Sequence, residues 1–344
     1  MKINNNKIKS LFLLSLVGSG LAKEEKSNNQ SEITSNEINL NSLPQMGVNL
    51  TAGGNETEPT LVFAGMPIFF RGNSATNLNI DQRRCVSSFT LVLPEVGDCQ
   101  WQGFNGTLKN NGFLTSARCC QSGNCGANFA FLLLADNPQQ DHGSNAEAIS
   151  RQNVGRVVES TFFYKDVPPM TDRTFVLVYD EGLKLIPYVA GKKDLLPIIG
   201  LGSAALGSEV CAYGAISGYL CGKVVEVDAS LEIPNPDQGG STTLAGLNKV
   251  DLGENGFEYE ADLGGPVYTV SNISDRTVAQ ALGHISSIDY SDSQHKFFYY
   301  TSLDAVLKDL VEYAKCSYSL LTYNETKALE HDQLLAQIEI PAKN

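Results

Sequence analysis

Few residues in this chain could do chemistry, and their spacing limits what they could do. The histidines are His142, His284, His295 and His331. His284 precedes Ser286 and Ser287 in the run VAQALGHISS, where an imidazole and a hydroxyl could act as base and nucleophile of a displaced hydrolase. A serine two or three residues along a strand points partly to the opposite face, which works against that hydrogen bond. A packed strand residue is the simpler reading of His284. Cys119, Cys120 and Cys125 lie close together, but the nearest histidine is His142 and no CxxC pair exists, so no metal site and no cofactor are expected. The stretch Tyr259–Tyr268, YEADLGGPVY, sets Asp262 and Leu263 before a paired glycine, a proline and a return to β-formers. Leucine has no oxygen to deprotonate and cannot attack a carbonyl.

The elements that must position these residues are strands. Runs such as LVFAGMPIFF, CVSSFTLVLP, GFLTSARCC, FAFLLLAD, RVVESTFFY and DRTFVLVYD are short, apolar or alternating, and separated by Gly, Asn, Asp and Pro. A second series follows in LKLIPYVAG, LLPIIGLG, SEVCAYGAI, GYLCGKVVEV, GGPVYTVS, VAQALGHIS and FFYYTS. Regularly spaced strands of this kind predict an all-β sandwich or barrel, here in two halves that meet near Leu185–Gly200. Ser302–Ala314 carries Leu303, Val306, Leu307, Leu310 and Val311 at helical spacing, so a short helix capped by Ser302 is expected.

Residues 1–22 read as a secretory signal, with a basic start, an apolar run from Leu11 to Val17 and a small-residue cleavage site at Gly20–Ala22. Residues 23–60 are polar and read as a disordered leader. Residues 313–344 read as a polar tail. The net charge of −13, more negative still without Lys2, Lys7 and Lys9, disfavours nucleic acid and anionic membranes as partners. No later apolar run of about 18 residues is available for membrane insertion, so an exported, extracellular protein is expected. Eight cysteines fit an oxidising compartment and up to four disulfides. Sequons stand at Asn29, Asn49, Asn55, Asn105, Asn272 and Asn324, and a eukaryotic secretory route would glycosylate several of them.

Four separated stretches, in order, resemble secreted chymotrypsin-fold serine proteases of the alpha-lytic protease and streptogrisin type. GSEVCAYGAISGYLCGKV, Gly207–Val224, looks like the family's VCxSGxxTGxxCG hairpin. RRCVSSFTLV followed by NNGFLTSARCC is similar to its CSxGF and GFxTAGHC. MTDRTFVLV resembles the strand entered by the catalytic aspartate, and YEADLGGPVY resembles the GDSGGP turn that carries the nucleophile. The resemblance implies two six-stranded antiparallel Greek-key barrels with a short C-terminal helix, residues 61–184 and 185–312. It also implies disulfides Cys85–Cys119 and Cys211–Cys221. Cys99, Cys120, Cys125 and Cys316 have no counterpart, and three pairings of them stay open.

By the same resemblance the triad positions are Arg118 for histidine, Asp172 for aspartate and Leu263 for serine. A guanidinium has no lone pair with which to accept the nucleophile's proton, and an ion pair between Arg118 and Asp172 is expected instead. Ala261 stands where a glycine supplies half the oxyanion hole, Phe257 where a cysteine stands, and Ser286–Ser287–Ile288 where a substrate-pairing strand ends in Ser-Gly-Gly. These departures imply a secreted protease homologue without activity that binds another protein. A divergent active endopeptidase and a structural extracellular glycoprotein are the alternatives.

Overall fold

The computed structural model describes residues 60–71, 83–93, 111–119, 129–133, 151–164, 170–179, 182–234, 240–254, 256–257, 260–273, 275–289 and 295–324. The strands in chain order begin with β1 (Thr60–Ala64), β2 (Pro67–Arg71), β3 (Arg83–Val86), β4 (Thr90–Val92), β5 (Gly112–Thr115) and β6 (Phe129–Leu133). They continue with β7 (Arg151–Ser160), β8 (Thr174–Val178), β9 (Leu183–Ala190), β10 (Leu195–Leu201), β11 (Glu209–Gly214) and β12 (Gly218–Pro234). The last are β13 (Ser241–Asp251), β14 (Pro266–Ile273), β15 (Arg276–Asp289), β16 (Phe297–Ser302) and β17 (Ser319–Leu320), with the helix α1 (Leu303–Glu312) between β16 and β17.

These strands do not build the expected pair of six-stranded Greek-key barrels. They form a nine-stranded sheet ordered β1-β9-β10-β15-β14-β11-β12-β13-β16, with a further β15–β16 pairing, and an eight-stranded sheet ordered β17-β4-β5-β8-β7-β6-β2-β3. Three pairings account for the departure. β1 leaves its sequence neighbours and lies parallel to β9. β10 lies parallel to β15, and β17, the last described strand, joins β4. Leu61, Val62, Phe63 and Ala64 are all buried, so β1 needs cover on both faces, as parallel strands usually have. The residues after 312, read as a polar tail, begin with packed structure. Cys316 and Tyr318 are buried, and Cys316 is disulfide-bonded.

Sequence reading passed over β13. Its buried residues Leu244, Leu247 and Val250 recur every third position, because register shifts against β12 at Val224–Glu226, Glu226–Ala229 and Ala229–Leu231 break the two-residue alternation. The β12–β13 hairpin reaches the eight-stranded sheet's side of the molecule. Met170 N–H donates to the Thr243 carbonyl at 3.1 Å and Ala245 N–H to that of Met170 at 2.8 Å. Leu244, Leu247, Ala229 and Ile233 pack with Ala117 and Phe162.

Helix α1 buries Leu303, Val306 and Leu310, while Val311, expected on the same face, is half exposed. Ser302 occupies the N-cap position without making a side-chain cap bond. The helix is tied down by charge instead. Asp309 accepts from the backbone N–H and hydroxyl of Thr171 at 2.9 and 2.6 Å and from Arg173 Nη1 at 3.1 Å. Arg173, fully buried, also donates from Nη2 to Glu159 Oε1 at 3.0 Å and lies over the rings of Tyr164 and Tyr313. Burial raises the Glu159 carboxyl above its usual range, outweighing the opposing charge of Arg173.

Candidate functional site

The turn that would carry a nucleophile is closely packed. A 3-10 turn over Glu260–Asp262 leads through Leu263, Gly264 and Gly265 into β14. Gly264 has φ +82°, and a Cβ there would meet Thr115 Oγ1 at 2.1 Å and the Val86 carbonyl at 2.5 Å, so only glycine fits. Asp262 is buried, and its carboxylate accepts from the backbone N–H groups of Ile216 (2.7 Å) and Ser217 (3.3 Å) and from Ser217 Oγ (2.6 Å). That anchors the β11–β12 turn. Tyr213, beside it, is pushed up to about 12 by burial and then by the Asp262 charge.

Leu263 turns inward. It is 1 % exposed and belongs to the main core cluster. Its N–H donates to the Glu260 carbonyl at 3.1 Å and its carbonyl accepts from Val86 N–H at 2.9 Å. In an acyl-transfer enzyme the N–H of the nucleophile residue points at the developing oxyanion. Here that donor is consumed within the turn. Ala261 is half-buried in the same 3-10 turn.

Arg118 and Asp172 do not pair with each other, which corrects the expected ion pair. Arg118 sits in a 3-10 turn, Ala117–Cys119, after β5, and its guanidinium reaches the other sheet. Nη1 donates to Ser287 Oγ at 3.2 Å and Nη2 to Glu260 Oε1 at 3.1 Å. Asp172 is fully buried and faces the other way. Its Oδ1 accepts from Ala117 N–H at 2.7 Å, and its Oδ2 lies 3.6 Å from His284 Nε2, both side chains being inaccessible to solvent. The acidic partner of Arg118 is Glu260 because the acidic turn projects from the sheet opposite Arg118, while Asp172 is held by the backbone beneath it.

His284 is the packed strand residue that the sequence suggests. Residues 281–286 of β15 are all buried, and β15 carries His284 opposite Pro266 on β14 and Thr301 on β16. The signal was available: a histidine inside an apolar strand run needs a polar neighbour when it is buried, and Asp172 is the carboxylate that meets it. The contact is longer than a hydrogen bond, and Asp172 Oδ2 and both His284 ring nitrogens make no hydrogen bond among the described residues. The serines beside His284 do not complete a displaced apparatus. Ser286 Oγ lies 2.7 Å from Thr301 Oγ1 and 3.4 Å from the His284 carbonyl, and Ser287 Oγ accepts from Arg118.

Cys85 is bonded to Cys119 and Cys211 to Cys221. The former joins β3 to the Arg118 turn; the latter joins register partners of the β11–β12 hairpin. Cys99, Cys120, Cys125, His142 and the sequons at Asn29, Asn49, Asn55 and Asn105 lie outside the described residues. Phe257 is buried against Phe298, and Ile288 is half-buried against the main core. Among the described residues no three His, Cys, Asp or Glu side chains are grouped to hold a metal ion, and no helix is long and apolar enough to cross a membrane.

No family model matches the chain. No curated protein matches it either. Solved structures of several proteases align with most of the chain at low identity. Thermobifida fusca Protease A is 18% identical, over 77% of this chain and 100% of that one, with a TM-score of 0.47. A Nocardiopsis protease is 17% identical over 76% of this chain and 100% of its own, with a TM-score of 0.47. Cellulomonas bogoriensis chymotrypsin is 19% identical over 76% and 100% of the two chains, with a TM-score of 0.46. At these identities and TM-scores the likeness carries no argument, so the functional reading rests on the residues described above.

Proposed function

We propose that the chain is an exported serine protease homologue without protease activity, acting by binding another protein. The observation that carries this reading is Leu263: at the position of the nucleophile it is buried in the core, and its N–H is bonded to the Glu260 carbonyl. Loss of the nucleophile or the base alone costs about 10⁶ in turnover in a related mechanism, and here the positions of both are filled by residues that cannot take their roles. Asp172, the triad position that keeps its residue type, is directed at His284 and Ala117 rather than at Arg118. The acidic charge argues for a protein partner over nucleic acid. Export is supported by the signal-like residues 1–22 and by the disulfides.

Incubation of the purified full chain with a fluorophosphonate, which tags activated serines, tests the reading. No tag is expected at any serine. A stoichiometric tag would replace the reading with that of a hydrolase using a relocated nucleophile.

A further inference from the structure

Arg118 fills a pair of acceptors that belong to the other sheet. Ser287 lies on β15, and Glu260 lies in the 3-10 turn that leads into β14. Both are fixed to one frame. Gly264 N–H donates to the Ile285 carbonyl at 2.8 Å, Ile285 N–H to that of Gly265 at 2.8 Å, and Leu263 N–H to that of Glu260 at 3.1 Å. The buried Asp262 carboxylate holds the same turn to the backbone of Ile216 and Ser217. Arg118 comes into this frame from the turn after β5, a strand of the eight-stranded sheet. Its Nη1 donates to Ser287 Oγ and its Nη2 to Glu260 Oε1, so the two acceptors suit the fixed fork of a guanidinium better than the point charge of an ammonium. The Glu260 side chain is 55% exposed and that of Arg118 20%. Solvent therefore reaches the pair, and partly solvated pairs of this kind are weak enough to exchange.

We propose that Glu260 and Ser287 form a docking point for an arginine side chain of a partner protein, and that Arg118 holds it as a built-in competitor until the partner arrives. The proposal rests on the reading that the chain acts by binding another protein. Charge complementarity selects a basic segment. Asp and Glu number 38 against 25 Lys and Arg, a field that speeds the approach of a cationic partner and slows that of an acidic one. The exchange keeps the hydrogen bonds of the site, because one guanidinium leaves into water as another enters. The backbone on either side stays in place: Ala117 N–H remains on Asp172 Oδ1 at 2.7 Å, and Cys119 remains bonded to Cys85. Preformed acceptors lower the ordering cost of binding. Arg118 is tethered beside the site at high effective concentration, so a chain without that side chain binds the partner's arginine more tightly than the native chain does.

The test is a titration of the isotope-labelled full chain with the blocked peptide acetyl-Ala-Arg-Ala-amide and with its lysine and glutamate counterparts, read by backbone amide shifts and by peptide integrity. The chains compared are the native sequence, Arg118→Ala, the more conservative Arg118→Gln, and Arg118→Ala combined with Glu260→Gln. Removal of the arginine at residue 118, in either form, is expected to tighten binding of the arginine peptide about tenfold over the native chain, with shifts centred on Glu260 and Ser287. Adding Glu260→Gln is expected to remove that gain. The lysine peptide should bind less tightly than the arginine peptide, and the glutamate peptide not at all. Equal affinity of the native chain and both single variants, or a gain that survives Glu260→Gln, would overturn the inference and leave the proposed function standing. Preference for the glutamate peptide would overturn it as well, since the docking group would then be Arg118 itself. Cleavage of the arginine peptide by the native chain would overturn the proposed function.

Discussion

A single side chain decides how the turn before β14 behaves. Leu263 is 1 % exposed, and its burial ties the turn to the core through the atoms that an active site would hold in the cleft. Replacing it with serine should destabilise the protein by about 2–5 kcal/mol, as other buried leucine truncations do, measured as a lower denaturant midpoint, with no gain of hydrolysis. Arg118 should behave differently. Its pair with Glu260 is partly solvated, with side-chain exposures of 20% and 55%, so Arg118→Ala should cost less than about 1 kcal/mol. The absence of a nucleophile and a base was legible in the sequence because residue identity alone decides it. The partners of Arg118 were not, since they depend on which sheet presents its acidic turn. Nor was the Asp172–His284 contact, which joins residues 112 positions apart.

Among the elements, α1 is held by a buried arginine as well as by its apolar face. Arg173→Met would leave Glu159 buried without its cation and should cost about 3–5 kcal/mol, with α1 the first element to lose amide-exchange protection. Glu159 also gives stability a pH dependence. Its folded-state pKa is raised above the ordinary 4.5, so the folded state binds the proton more tightly than the unfolded one. The stability it contributes is fully present below about 4.5 and declines as pH rises through the folded-state value. Glu159→Gln should flatten that decline in denaturant midpoints read between about pH 4 and 7. Most strands were legible from their alternating or continuous apolar runs, and α1 from its helical spacing. β13 was not, because three bulges against β12 turn its burial period from two to three. β17 is too short to carry a pattern, and only its pairing with β4 reveals it.

At the scale of the molecule, the sequence indicated β structure in two halves but not where the first and last described strands would go. β1 joins the nine-stranded sheet and β17 the eight-stranded one, and such long-range pairings leave no local signature. The packed interior should be visible in alkaline titration. Burial, with the Asp262 charge second, pushes Tyr213 up to about 12, and burial pushes Tyr300 to about 12. Phenolate absorbance should therefore lag the ordinary value near 10. The stability these groups contribute is complete below that pH and is lost as pH rises toward 12. The central claim is that the site is dismantled beyond its missing nucleophile, and fluorophosphonate labelling of a Leu263→Ser, Arg118→His double variant beside the native chain tests it most directly. Neither should be tagged, because the N–H of residue 263 is bonded to the Glu260 carbonyl and Asp172 is directed at Ala117 and His284. A tag on Ser286 or Ser287 of the native chain, or on the new serine of a folded double variant, would contradict the account.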